Sequence, residues 1–156
     1  MILMGIVGHK NAGKTTLTVA LVEELARRGL RVSTLKRTHH AVDLDPPGTD
    51  THRHRTAGAA QVLLATDRRL VLMEEVAEPT LDHLLSRLAP CDVVLAEGWK
   101  RGTHDRIEVW RAACAGPPLA GDDPTIRAVA TDAVVSVGCH VLDPGDVDAV
   151  AAFLLR

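Results

Sequence analysis

The sequence predicts an α/β fold, a three-layer α/β/α sandwich with a mostly parallel central sheet, because short apolar segments alternate with amphipathic ones. Ile2–Val7 is a compact apolar run that ends at a glycine, as is typical of a buried strand. Leu17, Leu21 and Leu25 then recur every four residues, which indicates one face of a helix. Gly29 favours a left-handed stop after that helix.

The rest of the chain continues this alternation within what we expect to be a single domain of residues 1–156. Thr80 and Asp143 are the expected N-caps of the last two helices, with Pro144 at the first position of the final one. The remaining predicted elements are strands at residues 30–35, 61–65, 70–73, 93–96, 107–110 and 126–130, helices at residues 15–28, 50–60 and 81–88, and loops at residues 43–49 and 116–124.

Composition argues against several classes of function. The net charge is −2 and only three residues are aromatic, so neither electrostatic attraction nor base stacking favours nucleic acid. The three cysteines are far apart and form no CxxC pair, which predicts reduced thiols. The apolar N-terminal run is too short for a signal sequence, and no stretch approaches the ~20 apolar residues that cross a bilayer. We therefore expect a cytoplasmic protein that binds neither nucleic acid nor membrane.

A glycine-rich motif follows the first predicted strand. Residues 8–15, Gly-His-Lys-Asn-Ala-Gly-Lys-Thr, match the pattern G-x-x-x-x-G-K-[ST] at every fixed position. Glycines let the backbone wrap a phosphate with its N–H groups pointing inward, and the start of the following helix adds partial positive charge. The motif therefore predicts a P-loop, which holds the phosphates of a nucleoside triphosphate.

Each position of the P-loop has an expected role. Lys14 reaches the β- and γ-phosphates and is a candidate catalytic residue, and the Thr15 hydroxyl takes a position on Mg²⁺. The other predicted contacts to the nucleotide come from the same loop and from the residue after it: Gly8, His9, Lys10, Asn11, Ala12, Gly13 and Thr16.

A carboxylate ends one of the later predicted strands. Glu97 follows the apolar run at residues 93–96 and precedes a glycine. In an open α/β sheet, ligands bind beyond the carboxyl ends of the strands, and Mg²⁺ prefers hard oxygen ligands. Glu97 is therefore a second candidate catalytic residue and a candidate Mg²⁺ ligand, whereas Asp92 at the other end of the strand is expected to be structural.

Histidine and arginine are concentrated between residues 36 and 55. One interpretation is an anion-binding and switch surface in which loop carboxylates respond to the γ-phosphate and Mg²⁺. A second is a transition-metal site, and a third is a solvated polar loop. The carboxylates are Asp43, Asp45 and Asp50, of which Asp50 is the candidate metal ligand, and the possible nitrogen ligands are His39, His40, His52 and His54.

Several sequence blocks together resemble a known family. The blocks are residues 8–16, 35–40, 43–45, 47–51 with Arg53, 57–59, 97–100 and 107–111. In this order they resemble the molybdopterin-guanine dinucleotide biosynthesis protein B family, a GTP-binding accessory factor in molybdenum cofactor assembly. The P-loop alone fits many families, whereas the other blocks are far more specific.

The resemblance implies a P-loop NTPase fold, GTP binding, slow GTP hydrolysis, Mg²⁺ dependence and a homodimer. It also implies a working partnership with the molybdenum cofactor guanylyltransferase, which joins GMP to molybdopterin, so molybdopterin or its guanine dinucleotide is an expected partner. Asp132 lies after a late strand, where related GTPases read the guanine base. His9 occupies the place where related dimeric NTPases often carry an extra lysine, and Lys10 follows it.

Two other functions fit the same motif. A small-molecule kinase would use a basic lid, for which the candidates are Lys100, Arg101, Arg106 and Arg111. A non-catalytic carrier would bind the nucleotide as a structural ligand and present the cofactor without hydrolysis. In the GTPase interpretation, the candidates for stabilising charge in the transition state are Arg37, Arg53 and Arg101.

Overall fold

A computed structural model of the chain describes residues 1–38 and 44–156. The chain divides into two compact units, one formed by residues 1–38 and 85–156 and the other within residues 39–84. The predicted single domain stays a prediction. The candidate ligands His39, His40 and Asp43 lie outside the described residues.

The described chain contains eight strands and four helices. In chain order they are β1 (Ile2–Val7), α1 (Lys14–Arg27), β2 (Val32–Lys36), α2 (Asp50–Thr56), β3 (Gln61–Ala65), β4 (Leu70–Glu74), α3 (Leu81–Ser86), β5 (Val93–Glu97), β6 (Arg106–Val109), β7 (Ile126–Ala130), β8 (His140–Leu142) and α4 (Val147–Leu154), with a short 3-10 helix at Leu119–Gly121 between β6 and β7. Seven of the strands and all four helices match predicted elements, whereas β8 was not predicted from the sequence.

Six of the strands form the central sheet of the first unit. Their order is β2-β5-β1-β6-β7-β8, and every neighbouring pair is parallel. All six therefore end at the same edge, where β1 leads into the P-loop and β5 ends at Glu97. The predicted α/β fold with a mostly parallel sheet is confirmed.

Helix α1 begins and ends as its sequence indicates. Its N-cap, Gly13, has a φ of 100°, which is a left-handed conformation. Gly29 has a φ of 82°, and the next residue, Leu30, donates its N–H to the carbonyl of Leu25 at 3.1 Å. This closing bond satisfies a carbonyl that the end of the helix would otherwise leave unpaired. The predicted stop at Gly29 is confirmed.

The start of α4 differs from its prediction. Asp146, not Asp143, is the N-cap, and its carboxylate accepts the N–H of Ala149 at 3.0 Å. Asp143 instead accepts the N–H of Gly145 at 2.8 Å, so it closes a turn that also contains Pro144. Either aspartate offers a suitable oxygen, and the turn that follows β8 decides which one reaches the helix.

The core lies between α1, α4 and one face of the sheet. Strand residues from β1, β5, β6 and β7 alternate toward this face and pack against the leucine stripe of α1. A smaller cluster, built on Val7, Ile126 and Val129, packs against Trp110 and Leu119. The residues of the larger cluster that are fully buried are Ile6, Ala12, Leu21, Leu25, Val93, Leu95, Ile107, Ala128, Ala130, Val150 and Ala151.

The second unit contains α2, a β-hairpin and the first four residues of α3. Strands β3 and β4 pair antiparallel in a separate two-stranded sheet, which confirms the predicted pair of strands and the polar turn between them. Thr80 accepts the N–H of His83 at 3.2 Å, as expected for the N-cap of α3. The hairpin exposes large apolar side chains, namely Leu63, Leu64, Leu70, Val71 and Leu72. Among the described residues, no helix is long and apolar enough to cross a membrane.

Candidate phosphate-binding site

The P-loop connects β1 to α1 through backbone conformations that favour glycine. Gly8 and Gly13 have φ values of 140° and 100°, and Asn11 also has a positive φ, of 62°. A Cβ atom on Gly8 would lie 2.2 Å from the carbonyl oxygen of Val109, so no other residue fits at this position. The strict glycine of the motif therefore has a steric cause in the neighbouring strand β6.

Lys14 folds its side chain back over the P-loop. Its ammonium group donates to the carbonyl oxygens of His9 at 2.6 Å and of Gly8 at 3.2 Å. Partial burial lowers the pKa of Lys14 below its ordinary value, although the nearby carboxylate of Glu97 opposes this shift. A phosphate in the loop would offer this ammonium stronger, charged acceptors than the two carbonyls.

The start of α1 and the end of β5 meet at Thr15 and Glu97. The Thr15 hydroxyl donates to Glu97 Oε1 at 2.7 Å, and Glu97 is only 8% exposed. The ammonium of Lys36, at the end of the neighbouring strand β2, lies 3.2 Å from the same Oε1. The strand order brings these three residues together although they are far apart in the sequence.

The oxygens of Thr15 and Glu97 are suited to a Mg²⁺ ion. Neighbouring ligands in an octahedron with 2.1 Å bonds are about 3.0 Å apart, close to the observed separation of 2.7 Å. Within residues 1–38 and 44–156, no group of three or more His, Cys, Asp or Glu side chains could hold a metal ion. Phosphate oxygens and water would therefore supply the remaining ligands at Thr15 and Glu97.

A cavity of about 320 Å³ adjoins the P-loop on the β7 side of the sheet. Asp132, the predicted base-reading residue, lines this cavity together with Thr16 and Gly13. Arg111 and Asp143 also line it, and a Cβ atom on Gly13 would lie 3.3 Å from the Arg111 guanidinium. From the sequence, Arg111 was a candidate for a basic lid and Asp143 for a helix N-cap, so neither was expected at this cavity. Both follow the carboxyl ends of strands, which is the signal that pointed to Glu97.

His9 makes its contact within its own chain. Its Nε2 lies 3.0 Å from the carbonyl oxygen of Pro117, in the segment between β6 and β7. That segment is fixed by Trp110, which donates to the carbonyl of Gly116 at 3.1 Å. It is also fixed by Glu108, which is fully buried and accepts the N–H groups of the first two residues of the 3-10 helix at 2.8 and 3.0 Å. These contacts, which support the P-loop through His9, were not predicted from the sequence.

Arg106 is not available for the basic lid that a kinase would use. This residue is 2% exposed, and its guanidinium donates to Asp123 at 2.6 Å, to Thr125 at 2.7 Å and to the carbonyl of Gly102 at 2.6 Å. A buried guanidinium with three acceptors cannot reach over a substrate without leaving them unpaired. The placement of Arg106 in a lid is therefore wrong.

The remaining metal-ligand candidates among the described residues belong to the second unit. Asp50 and the two histidines His52 and His54 lie on the short helix α2. Asp45 is buried and accepts hydrogen bonds from Thr49 at 2.9 Å and from Thr51 at 2.7 Å, so it anchors the start of this helix. The role of Asp50 as a metal ligand stays a prediction.

A parallel sheet whose first strand leads through a glycine-rich loop into a helix defines an α/β protein of the P-loop class. The family model described as molybdopterin guanine dinucleotide synthesis protein B matches residues 3–132. Because this match spans most of the chain, the protein belongs to that family.

Curated relatives and solved structures agree with this family. The chain is 36% identical to the molybdopterin-guanine dinucleotide biosynthesis adapter protein of Haemophilus influenzae, over 97% of this chain and 86% of the relative. It is 35% identical to the protein of that name in Escherichia coli, over 99% and 91%. A crystal structure of molybdopterin-guanine biosynthesis protein B matches with a TM-score of 0.74 and 29% identity, over 99% of this chain and 98% of that one.

Loss of the Asp123 carboxylate should destabilise the fold. Hydrogen bonds from Thr125 and Arg106 outweigh the effect of burial and lower the pKa of Asp123 below its ordinary value. Asp123→Ala leaves Arg106 buried with fewer acceptors, so we expect the free energy of unfolding at pH 7 to fall by about 3 kcal/mol in urea titrations.

The pH dependence follows from the lowered pKa. Stabilisation by Asp123 is present above the pKa of the unfolded state and is lost as the pH falls through the pKa of the folded state. The difference in free energy of unfolding between wild type and variant should therefore shrink below about pH 4. Asp122→Ala is the control, because Asp122 is exposed. An equal loss of stability in both variants would contradict this assignment.

Proposed function

We propose that this protein is a GTP-binding, slowly hydrolysing accessory protein in the synthesis of molybdopterin guanine dinucleotide. The relatives from Haemophilus influenzae and Escherichia coli are named as adapter proteins of that biosynthesis. The observation that supports nucleotide binding is the meeting of Lys14, Thr15 and Glu97 at the mouth of the P-loop. An ammonium, a hydroxyl and a carboxylate at this position are the groups that a triphosphate and its metal require.

In the proposed complex, the inward N–H groups of residues 8–13 and the start of α1 bind the phosphates. Lys14 leaves the loop carbonyls and contacts the β- and γ-phosphates. Thr15 and Glu97 hold Mg²⁺, which when bound neutralises charge on the phosphates. Asp132 accepts the N1 and N2 hydrogens of guanine from the adjoining cavity.

Slow hydrolysis is proposed because, among the described contacts, no candidate arginine side chain reaches the P-loop. The guanidinium of Arg37 lies 4.8 Å from the centre of the Trp99 ring, where it makes a cation–π contact. Arg53 lies on α2. Arg101 is exposed on the segment between β5 and β6. An NTPase without a positioned arginine turns over orders of magnitude more slowly than one that has it.

The partners follow from the family and from the exposed hairpin. The molybdenum cofactor guanylyltransferase and molybdopterin, or its guanine dinucleotide, are the proposed partners in the cytoplasm. A homodimer is proposed because Leu63, Leu70 and Leu72 share one face of the hairpin and are each at least 42% exposed. An apolar face of this kind is typical of a surface that another protein covers.

Lys14→Ala should remove most of the triphosphate affinity, because both phosphate contacts of the ammonium are lost. We expect isothermal titration calorimetry with a non-hydrolysable GTP analogue and Mg²⁺ to show a loss of about 100-fold. Arg127→Ala, which removes an exposed charge from β7, should bind as wild type does. Undiminished affinity in the folded Lys14 variant would exclude the proposed site.

Glu97→Gln should affect the metal more than the nucleotide. We expect the apparent affinity for Mg²⁺ and the rate of GTP hydrolysis to fall about tenfold, with a smaller loss of metal-free GTP binding. Asp92→Asn is the matched control, because Asp92 lies at the opposite end of the same strand and accepts the N–H of Arg31. A Mg²⁺ titration that Glu97→Gln leaves unchanged would count against the metal role.

Leu63→Glu should weaken the dimer, because it places a charge on the apolar face of the hairpin. Light scattering during size-exclusion chromatography should show a shift from dimer toward monomer at micromolar concentrations. Val134→Glu supplies the control, since Val134 is also an exposed apolar residue but lies in the first unit. A wild-type protein that elutes as a monomer would refute the dimer proposal.

A further inference from the structure

Lys36 places a second ammonium group at the proposed metal position. It is the last residue of β2 and pairs in register with Glu97, the last residue of β5. Its Nζ lies 3.2 Å from Glu97 Oε1 and 3.4 Å from Thr15 Oγ1. These are the two oxygens that the proposed function assigns to Mg²⁺, so Lys36 occupies the charge position that the metal would take.

Mg²⁺ and the Lys36 ammonium compete for these oxygens. An ion bonded to both oxygens at about 2.1 Å would lie within about 5 Å of the observed Nζ position. Two positive charges at that distance repel, and the repulsion is strong because the Glu97 side chain is only 10% exposed and weakly screened. The Lys36 side chain, by contrast, is 63% exposed, so the ammonium is the group that can move away.

The space beside Lys36 allows that movement. A cavity of about 420 Å³ lies between α1 and β2, and its lining includes Thr15, Thr34, Lys36 and Glu97. A lysine side chain carries its charge on a flexible four-carbon stem, so Nζ can shift by several ångströms while β2 stays fixed. Movement of the side chain alone can therefore vacate the metal position.

In the proposed complex, a γ-phosphate would be the added anion available to the displaced ammonium. In that complex, Thr15 and Glu97 would hold Mg²⁺ beside the phosphates, and Lys14 would approach them from the P-loop. Lys36 would approach from the β2 side of the same ion, and a diphosphate has no γ-phosphate to receive it. Only a triphosphate therefore compensates for the displacement of Lys36 from Glu97.

We propose that Lys36 makes this site selective for guanosine triphosphate over diphosphate. Without a γ-phosphate, its ammonium returns to Glu97 and opposes the metal. With Mg²⁺ and a γ-phosphate present, the ammonium pairs with the phosphate instead. This inference rests on the function proposed above and adds a specificity-determining residue that the P-loop motif does not contain.

The test compares wild type with Lys36→Met, which keeps the aliphatic stem and removes the charge. Isothermal titration calorimetry would measure affinity for GDP and for a non-hydrolysable GTP analogue at saturating Mg²⁺. We expect the preference for the triphosphate to fall about tenfold, because one charge-assisted contact to the γ-phosphate is lost. GDP should bind with the same or higher affinity, since the competitor for the metal position is gone. A purely structural role of Lys36 would weaken both ligands together.

Arg31→Met is the matched control for this experiment. Arg31 precedes β2 and lies 3.9 Å from Asp92, which precedes β5. This pair is therefore at the amino ends of β2 and β5, whereas Lys36 and Glu97 are at their carboxyl ends. Its loss should leave the triphosphate preference within twofold of wild type. If Lys36→Met also stays within twofold while wild type binds the analogue, the inference about Lys36 is overturned and the proposed function stands. If wild type binds neither ligand, both fail.

Discussion

The hydrogen bond between Thr15 and Glu97 joins the start of the first helix to the end of a strand 82 positions away in the sequence. It exists because all six strands of the central sheet run in the same direction and end at one edge. The P-loop, the acidic strand end and Lys36 meet at that bond. A shift of β5 by one residue would turn Glu97 to the opposite face of the sheet and separate it from Thr15.

Buried polar residues of β6 fix the segments around the P-loop. Glu108 and Arg106 alternate with apolar neighbours on β6, and each is buried with acceptors or donors supplied by the segments that follow. Glu108 fixes the 3-10 helix, and the segment before that helix reaches His9. Their burial is acceptable because hydrogen bonds replace those made with water. Charged residues on β6 thus hold the neighbouring loops in place.

Local features of the site could be predicted from sequence, and features that depend on strand order could not. The P-loop, the helix stop at Gly29 and the carboxylate at the end of β5 each follow from contiguous residues. The contact of Lys36 with Glu97 depends on β2 lying next to β5, which no sequence pattern reveals. The same holds for Arg111 beside Gly13. The cap of α4 was misplaced because two aspartates three residues apart satisfy the same rule.

A crystal structure with a non-hydrolysable GTP analogue and Mg²⁺ tests the central claim most directly. We expect the β-phosphate within the loop of residues 8–15 and guanine beside Asp132. We also expect an ion that is bonded to Thr15 and held by Glu97 directly or through water. Lys36 should have left Glu97. Two results at saturating analogue would contradict the proposed site. In the first, Lys14 still contacts the carbonyls of the P-loop; in the second, the ion is bound elsewhere.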